Sequence, residues 1–255
     1  MIQKLILAST EYVEAHIKSF HDARLKSLQA LSLDKLIKRK NPYLFRAKNL
    51  LQTADFVKAL LEAHLSSQEE TIFGDFMERL AIFIAGIAVN GQKSSTEGID
   101  LEFTRDSIRH LVTIKSGPNW GNSSQISRMV QNFNKARRIT QTSGGSVNVR
   151  PINGCCYGID DTPVKNGYEK LCGQRFWELI TGGDAGFYLN IIEPLSHQAR
   201  ERNEEFQKEY ATVVNKFVAT FTNHYCIDGV IDWSKIVEMS SKAGNGRGHK
   251  VKKTT

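Results

Sequence analysis

Apolar residues recur at helical spacing over the first forty positions: Leu5, Leu7, Tyr12, Val13, Ile17 and Phe20, then Leu25, Leu28, Leu31, Leu36 and Ile37. Steps of three and four fall on one face of a helix, so this pattern predicts an amphipathic helix. KRKNP at 38–42 interrupts it, because the residue before a proline avoids the helical region. Helical spacing resumes over Thr53–Leu65. Ser66-Ser67-Gln68-Glu69-Glu70 then reads as a cap region that opens a further helix, running to about Val89.

IDLEF and IRHLVTIK are β-type runs separated by the turn-like TRDS, which predicts a hairpin. Over Ser123–Thr142, Ile126, Met129, Val130, Phe133 and Ala136 lie on one stripe, which predicts a helix. VNVRPINGCCYGI reads as one or two strands, YEKLCGQRFWELI as a short helix and GFYLNIIEP as a strand. Residues 196–222 form a long charged amphipathic pattern, and IDWSKIVEM a last short helix. No internal repeat is present. The order α-α-α-β-β-α-β-α-β-α implies an α/β fold, with a central mixed β-sheet flanked by helices and a helical N-terminal extension.

Composition changes this picture little until charge is mapped along the chain. The 255 residues carry 40% hydrophobic and 24% charged residues, ordinary for a globular domain with its own core. No apolar run reaches the length of a membrane span, and the N-terminal apolar patch is too short for a secretory signal, so a cytoplasmic protein is expected. Cys155, Cys156, Cys172 and Cys226 have no CxxC spacing and no nearby histidine pair, so they are expected to be reduced, buried and inert. The histidines form no HxxxH or HxH pair, and no GxxxxGK[ST] phosphate loop occurs.

The net charge is +7. Between Ser116 and Ile159 there is no Asp or Glu, while Arg128, Lys135, Arg137, Arg138 and Arg150 all fall there. An acid-free basic stretch suits a polyanionic partner. The segment from Ser241 holds five basic residues and no acidic one, the composition of a flexible basic tail.

The candidate chemistry sits on the predicted hairpin. Side chains alternate along a strand, so Asp100 and Glu102 share a face of the first strand, and Thr113 and Lys115 a face of the second. The hairpin brings these faces side by side, and Glu78 lies on the helix leading to them. Hard oxygen ligands suit a divalent cation, so Asp100, Glu102 and Glu78 could bind Mg²⁺, while Lys115 could hold an attacking water or neutralise a phosphate. That is an arrangement for metal-assisted phosphodiester hydrolysis. The competing reading is a solvated strand face that carries charge for solubility.

The following loop adds Asn119, Asn122, Ser123, Ser124 and Gln125, which can hydrogen-bond phosphates or base edges, and Trp120, which can stack on a base or anchor the core. Ser123 is positioned to cap the next helix, whose N-terminus would favour a phosphate. Arg128, Lys135, Arg137 and Arg138 on that helix could follow the nucleic-acid backbone.

Gly98-Ile99-Asp100, followed after strand and turn by Thr113-Ile114-Lys115, resembles the core of the PD-(D/E)xK nuclease superfamily. More narrowly, FGDFMERLAIF, GIDLEF and TIKSGPNWGNSSQ resemble a group of bacterial type II restriction endonucleases. The similarity runs from residue 41 to residue 233, and SGPNWGNS is its most specific part. The resemblance implies that Asp100 is the metal-binding aspartate, Lys115 the catalytic lysine and Glu78 the glutamate on the helix before the sheet.

Two positions depart from the superfamily pattern. Ile99 stands where proline is common, and Thr113 stands where an acidic residue is usual. The missing carboxylate would then come from Glu78, Glu102 or Glu70, with Glu78 favoured. The implied protein is a Mg²⁺-dependent endonuclease that cuts double-stranded DNA at a specific sequence as a homodimer. Its single nuclease domain would span 1–240, with a helical part at 1–65, the catalytic core at 66–194, a helical part at 195–240 and the basic tail at 241–255. A structure-selective or repair nuclease with the same core, and an inactive DNA-binding protein, are the alternatives.

Overall fold

The computed structural model describes residues 2–144 and 148–242; the basic tail lies outside the described residues from position 243 onward. Four helices come first, α1 (Ile2–Gln29), α2 (Leu33–Arg39), α3 (Pro42–Ala47) and α4 (Thr53–Val89). The strands β1 (Gln92–Lys93), β2 (Leu101–Arg105) and β3 (Ile108–Lys115) follow, then α5 (Ser123–Gly144) and β4 (Asn148–Cys155). Next come β5 (Val164–Lys165), β6 (Tyr168–Cys172), α6 (Gln174–Ile180), a 3₁₀ turn at Phe187–Leu189 and α7 (Ile192–Leu195). The described chain closes with α8 (Ala199–Tyr225), the short hairpin β7 (Cys226–Ile227) and β8 (Val230–Ile231), and α9 (Trp233–Ser241).

The main sheet is mixed, in the order β1-β2-β3-β4-β6-β5. β1, β2 and β3 are antiparallel neighbours, whereas β3, β4 and β6 run parallel. The parallel step from β3 to β4 is bridged by α5, as a crossover requires. This is the α/β architecture that the pattern predicts. Among the described residues no helix is long and apolar enough to cross a membrane.

Several elements differ from the pattern. Ser66–Glu70 do not cap a new helix but lie inside α4. No Gly or Pro occurs between Thr53 and Phe73, and extending an existing helix is far easier than nucleating a second one. The first helical pattern breaks earlier than expected, between Gln29 and Leu33, and Asn41 caps α3 by accepting from the Tyr43 and Leu44 amides.

YEKLC is strand β6, not helix. Register beside β4 draws Leu171 and Cys172 into the sheet, and α6 starts only after Gly173 at φ +52. GFYLNIIEP is not a strand either. Phe187 and Ile191 are buried and Leu195 packs partly against the same core, at a helical spacing of four rather than an alternating one.

The chain forms two compact units, one of residues up to Ala23 with Glu69–Glu201, the other of Arg24–Gln68 with the residues from Arg202. The second unit is largely helical around Leu36, Ile37, Phe56, Leu60, Leu61, Phe217 and Phe221. The first unit holds the main sheet. On one face Leu101, Phe103, Val112, Ile114 and Ile152 pack with Phe76, Leu80 and Ile84 of α4 and Phe176 and Trp177 of α6. On the other face a smaller group, Ile99, Leu111, Met129, Phe133 and Ala136, seats α5.

Candidate active site

The β2–β3 hairpin sets the geometry. Its turn residues Asp106 and Ser107 both have positive φ, 52 and 61, the turn whose twist matches that of paired strands. Leu101 is thereby opposite Val112. Asp100, just before β2, donates its amide to Val112 O at 2.9 Å. Its Oδ2 accepts the Ile114 amide at 2.7 Å and lies 3.9 Å from Lys115 Nζ. Lys115 Nζ also donates to Ile114 O at 2.8 Å and sits 5.5 Å from the centre of the Trp120 ring. The aspartate and lysine that the sequence singles out therefore meet at one end of the hairpin.

Glu78 reaches the same environment from α4. Burial and then the charge of Asp100 push its carboxyl above the ordinary glutamate range, while Lys115 and Lys93 pull it down. Glu102 has another occupation. Its carboxylate meets Arg109 at 3.0 Å and accepts from Gln92 and Ser94, each at 3.3 Å.

Thr113 is buried. Its hydroxyl donates to Met129 Sδ at 3.4 Å and accepts from Asn153 Nδ2 at 3.2 Å. His110 is buried too, stacked on Phe103 at 4.5 Å, and burial lowers its pKa.

The loop after Lys115 is an anchored segment. Trp120 packs beside Met129 and Phe133 and donates to Asn153 Oδ1 at 3.0 Å. Lys170 Nζ donates to Pro118 O at 2.9 Å. Asn122, not Ser123, caps α5: its Oδ1 accepts the Gln125 amide and Gln125 Oε1 accepts the Asn122 amide, both at 3.0 Å. This reciprocal pair is a capping box one residue ahead of the expected cap. Ser124 Oγ donates to Asn122 Oδ1 at 2.7 Å, and Asn119 and Ser123 are exposed.

A cleft of about 490 Å³ gathers Asp100, Thr113, Lys115, Trp120, Gln125 and Arg128, together with Gly98, Met129 and Asn132. Asn119, Asn122, Ser123 and Ser124 stand outside its lining, as do Glu78 and Glu102. The basic residues of α5 meet a carboxylate from outside the acid-free stretch, with Glu97 at 3.6 Å from Arg128 and 3.5 Å from Lys135. Gly98 has φ +75, and a Cβ there would collide with the Asn132 side chain.

Asn132 and Asn153 are the polar residues near the site that sequence reasoning missed. Asn132 follows Arg128 by one helical turn, a signal that spacing could have given. The role of Asn153 depends on partners far along the chain.

The oxygen donors of Asp100 and Glu78 are of the kind that a divalent cation takes. Like charges at Asp100 and Glu78 oppose one another, and a cation relieves that opposition. Among the described residues no three His, Cys, Asp or Glu side chains group as a metal shell. Mg²⁺ does not require one, since it is commonly held by one or two carboxylates with water and phosphate oxygens. Cys155, Cys156 and Cys172 are buried free thiols, and Cys226 is half-buried. Burial raises the Cys155 thiol and brings Cys156 up to about 12, which favours the protonated form of both.

No curated protein matches the chain. A family model described as Type II restriction endonuclease EcoO109I matches residues 8–203, a span that includes Glu78, the β2–β3 hairpin, Lys115 and Asn153.

Proposed function

The chain belongs to the type II restriction endonuclease EcoO109I family, and from that premise we propose that it hydrolyses double-stranded DNA at a specific sequence with Mg²⁺ as cofactor. The observation that carries this reading is the approach of Lys115 Nζ to Asp100 Oδ2, 3.9 Å apart, with Glu78 close enough for both to act on its charge. Asp100 and Glu78 are the proposed metal ligands. The Ile114 amide holds Asp100 in place, and Glu78 supplies the carboxylate absent at position 113. Glu102 is less available, because Arg109 neutralises it.

Mg²⁺ held there would polarise a phosphoryl oxygen and lower the pKa of water. Lys115 orients the attacking water by hydrogen bonding and stabilises the charge that builds on the phosphate. Gln125 and Arg128 meet the DNA in the cleft, and Trp120 braces Lys115. Asn119, Asn122, Ser123 and Ser124 contact DNA at the cleft's rim.

All of the proposed catalytic groups fall within residues 66–194, the proposed catalytic core. Cutting both strands of a two-fold symmetric site suits a homodimer. The protein is proposed to act in the cytoplasm.

The test is incubation of the purified protein with phage DNA in Mg²⁺, in Ca²⁺ and in EDTA. Discrete fragments in Mg²⁺ alone are expected. A smear would point to a nuclease without sequence preference, and binding without cutting to an inactive DNA-binding protein.

A further inference from the structure

Asn153 on β4 is the cross-strand partner of Thr113 on β3 and of Lys170 on β6. It is 1% exposed. Burying an amide is costly unless its polar atoms find partners, and here both ends do. An indole N–H can only donate. The contact of 3.0 Å from Trp120 Nε1 therefore turns the Asn153 oxygen toward the indole. The amide nitrogen then faces Thr113 Oγ1 at 3.2 Å, and the Thr113 proton goes to Met129 Sδ at 3.4 Å.

The donors run in one direction, with no alternative arrangement of the amide. Lys170, the cross-strand neighbour, fastens the same loop at Pro118 O, 2.9 Å away. The Trp120 ring faces Lys115 Nζ, 5.5 Å from the ring centre.

We propose that Asn153 is a positioning residue: by holding the Trp120 indole it fixes the ring that braces Lys115 beside Asp100. This rests on the nuclease reading above. An ammonium is drawn to the face of an indole, and small misplacement of a reacting group is costly to rate. The network also gives Thr113 its task. Its hydroxyl links β3 to β4 and α5 at the position where the superfamily pattern has a metal-binding carboxylate.

The test uses the full chain with Asn153→Leu, Trp120→Phe, the double variant and Asn153→Asp. The chain has three tryptophans, so ¹⁵N-labelled indole signals are few, and the one lost in Trp120→Phe is that of Trp120. In Asn153→Leu that signal should move upfield. Single-turnover cleavage of phage DNA in Mg²⁺ should fall roughly tenfold or more, while the Kd for the same DNA in Ca²⁺ changes less than about twofold. The double variant should cut no more slowly than the slower single one, because both remove one bond. Asn153→Asp keeps an acceptor for the indole and should recover most of the rate.

The proposal is overturned if folded Asn153→Leu cuts at the parental rate, if binding weakens as much as the rate, or if the single effects multiply. Should Asn153→Leu fail to fold, Trp120→Phe cutting at the parental rate overturns it. Lys115→Ala, assayed alongside, separates the two claims. A parent that does not cut removes the nuclease reading, a Lys115→Ala protein that cuts normally removes the assignment of Lys115, and an inert Lys115→Ala protein beside a normal Asn153→Leu removes only the positioning role.

Discussion

The two faces of the main sheet are built for different tasks. Toward α4, the sheet buries Leu101, Phe103, Val112, Ile114 and Ile152 in a broad apolar layer with Phe76, Trp177 and Phe187. Toward α5, the apolar group is small, and beside it lie Thr113, Asn153 and Trp120 joined by hydrogen bonds, with the cleft opening past them. Apolar burial is non-directional and stabilises roughly in proportion to area. Buried polar networks are directional and define one arrangement of their members. The first face holds the fold together, and the second holds side chains at defined positions.

The contrast breaks most readily at the proposed catalytic pair. Lys115→Ala and Asp100→Asn should each lower the cleavage rate by at least about a thousandfold, with DNA affinity in Ca²⁺ largely kept. Either variant cutting at the parental rate would remove the assignment.

Phe76→Ala, on the α4 side, should cost about 3–5 kcal/mol of stability in a denaturant titration, because a fully buried ring leaves a cavity. Met129→Ala, on the α5 side, should cost about 2 kcal/mol, at the low end of its range. Equal losses would erase the distinction between the faces.

Glu78→Gln should slow cleavage by about a hundredfold, yet stabilise the metal-free protein. The sign follows from its raised pKa. Burial and Asp100 make the folded chain keep the Glu78 proton to higher pH than the unfolded chain does. Metal-free stability therefore falls as pH rises from the ordinary glutamate value through the raised one. Melting temperatures measured across that window should fall less steeply in Glu78→Gln than in the parent. Cleavage at limiting Mg²⁺ should decline as pH drops through the raised value, since the protonated carboxyl cannot hold the cation.

The smallest effect belongs to Glu97→Gln. Its pairs with Arg128 and Lys135 are exposed, so stability should change by less than about 1 kcal/mol. Removing a carboxylate beside two basic residues should still raise DNA affinity by a few-fold, about two to five, at low salt. Unchanged affinity would separate this face of α5 from the DNA.

Much of this was legible in the sequence where the signal is local. Alternation along IDLEF and IRHLVTIK brings Asp100, just before β2, beside Lys115 at the end of β3, and the stripe Met129, Phe133 and Ala136 seats α5. Errors arose where a distant partner overrides local pattern. YEKLC becomes a strand because β4 lies beside it, and Asn153 takes its partners from 33 and 40 residues away. The cap of α5 moved by one residue because Asn122 and Gln125 satisfy each other's amides, a pairing that outcompetes a lone serine.

Under the proposed function, Gly98 has a consequence for anyone who would retarget the nuclease to a new DNA sequence. Gln125, Arg128 and Asn132 stand on one helical face and are natural positions to randomise in a library. Gly98 is not. Its φ of +75 and the Asn132 side chain against it exclude larger residues for separate reasons, one of backbone and one of space. Shrinking Asn132 would lift only the second, so variants at 98 should drop out of any selection for active clones even when position 132 varies freely.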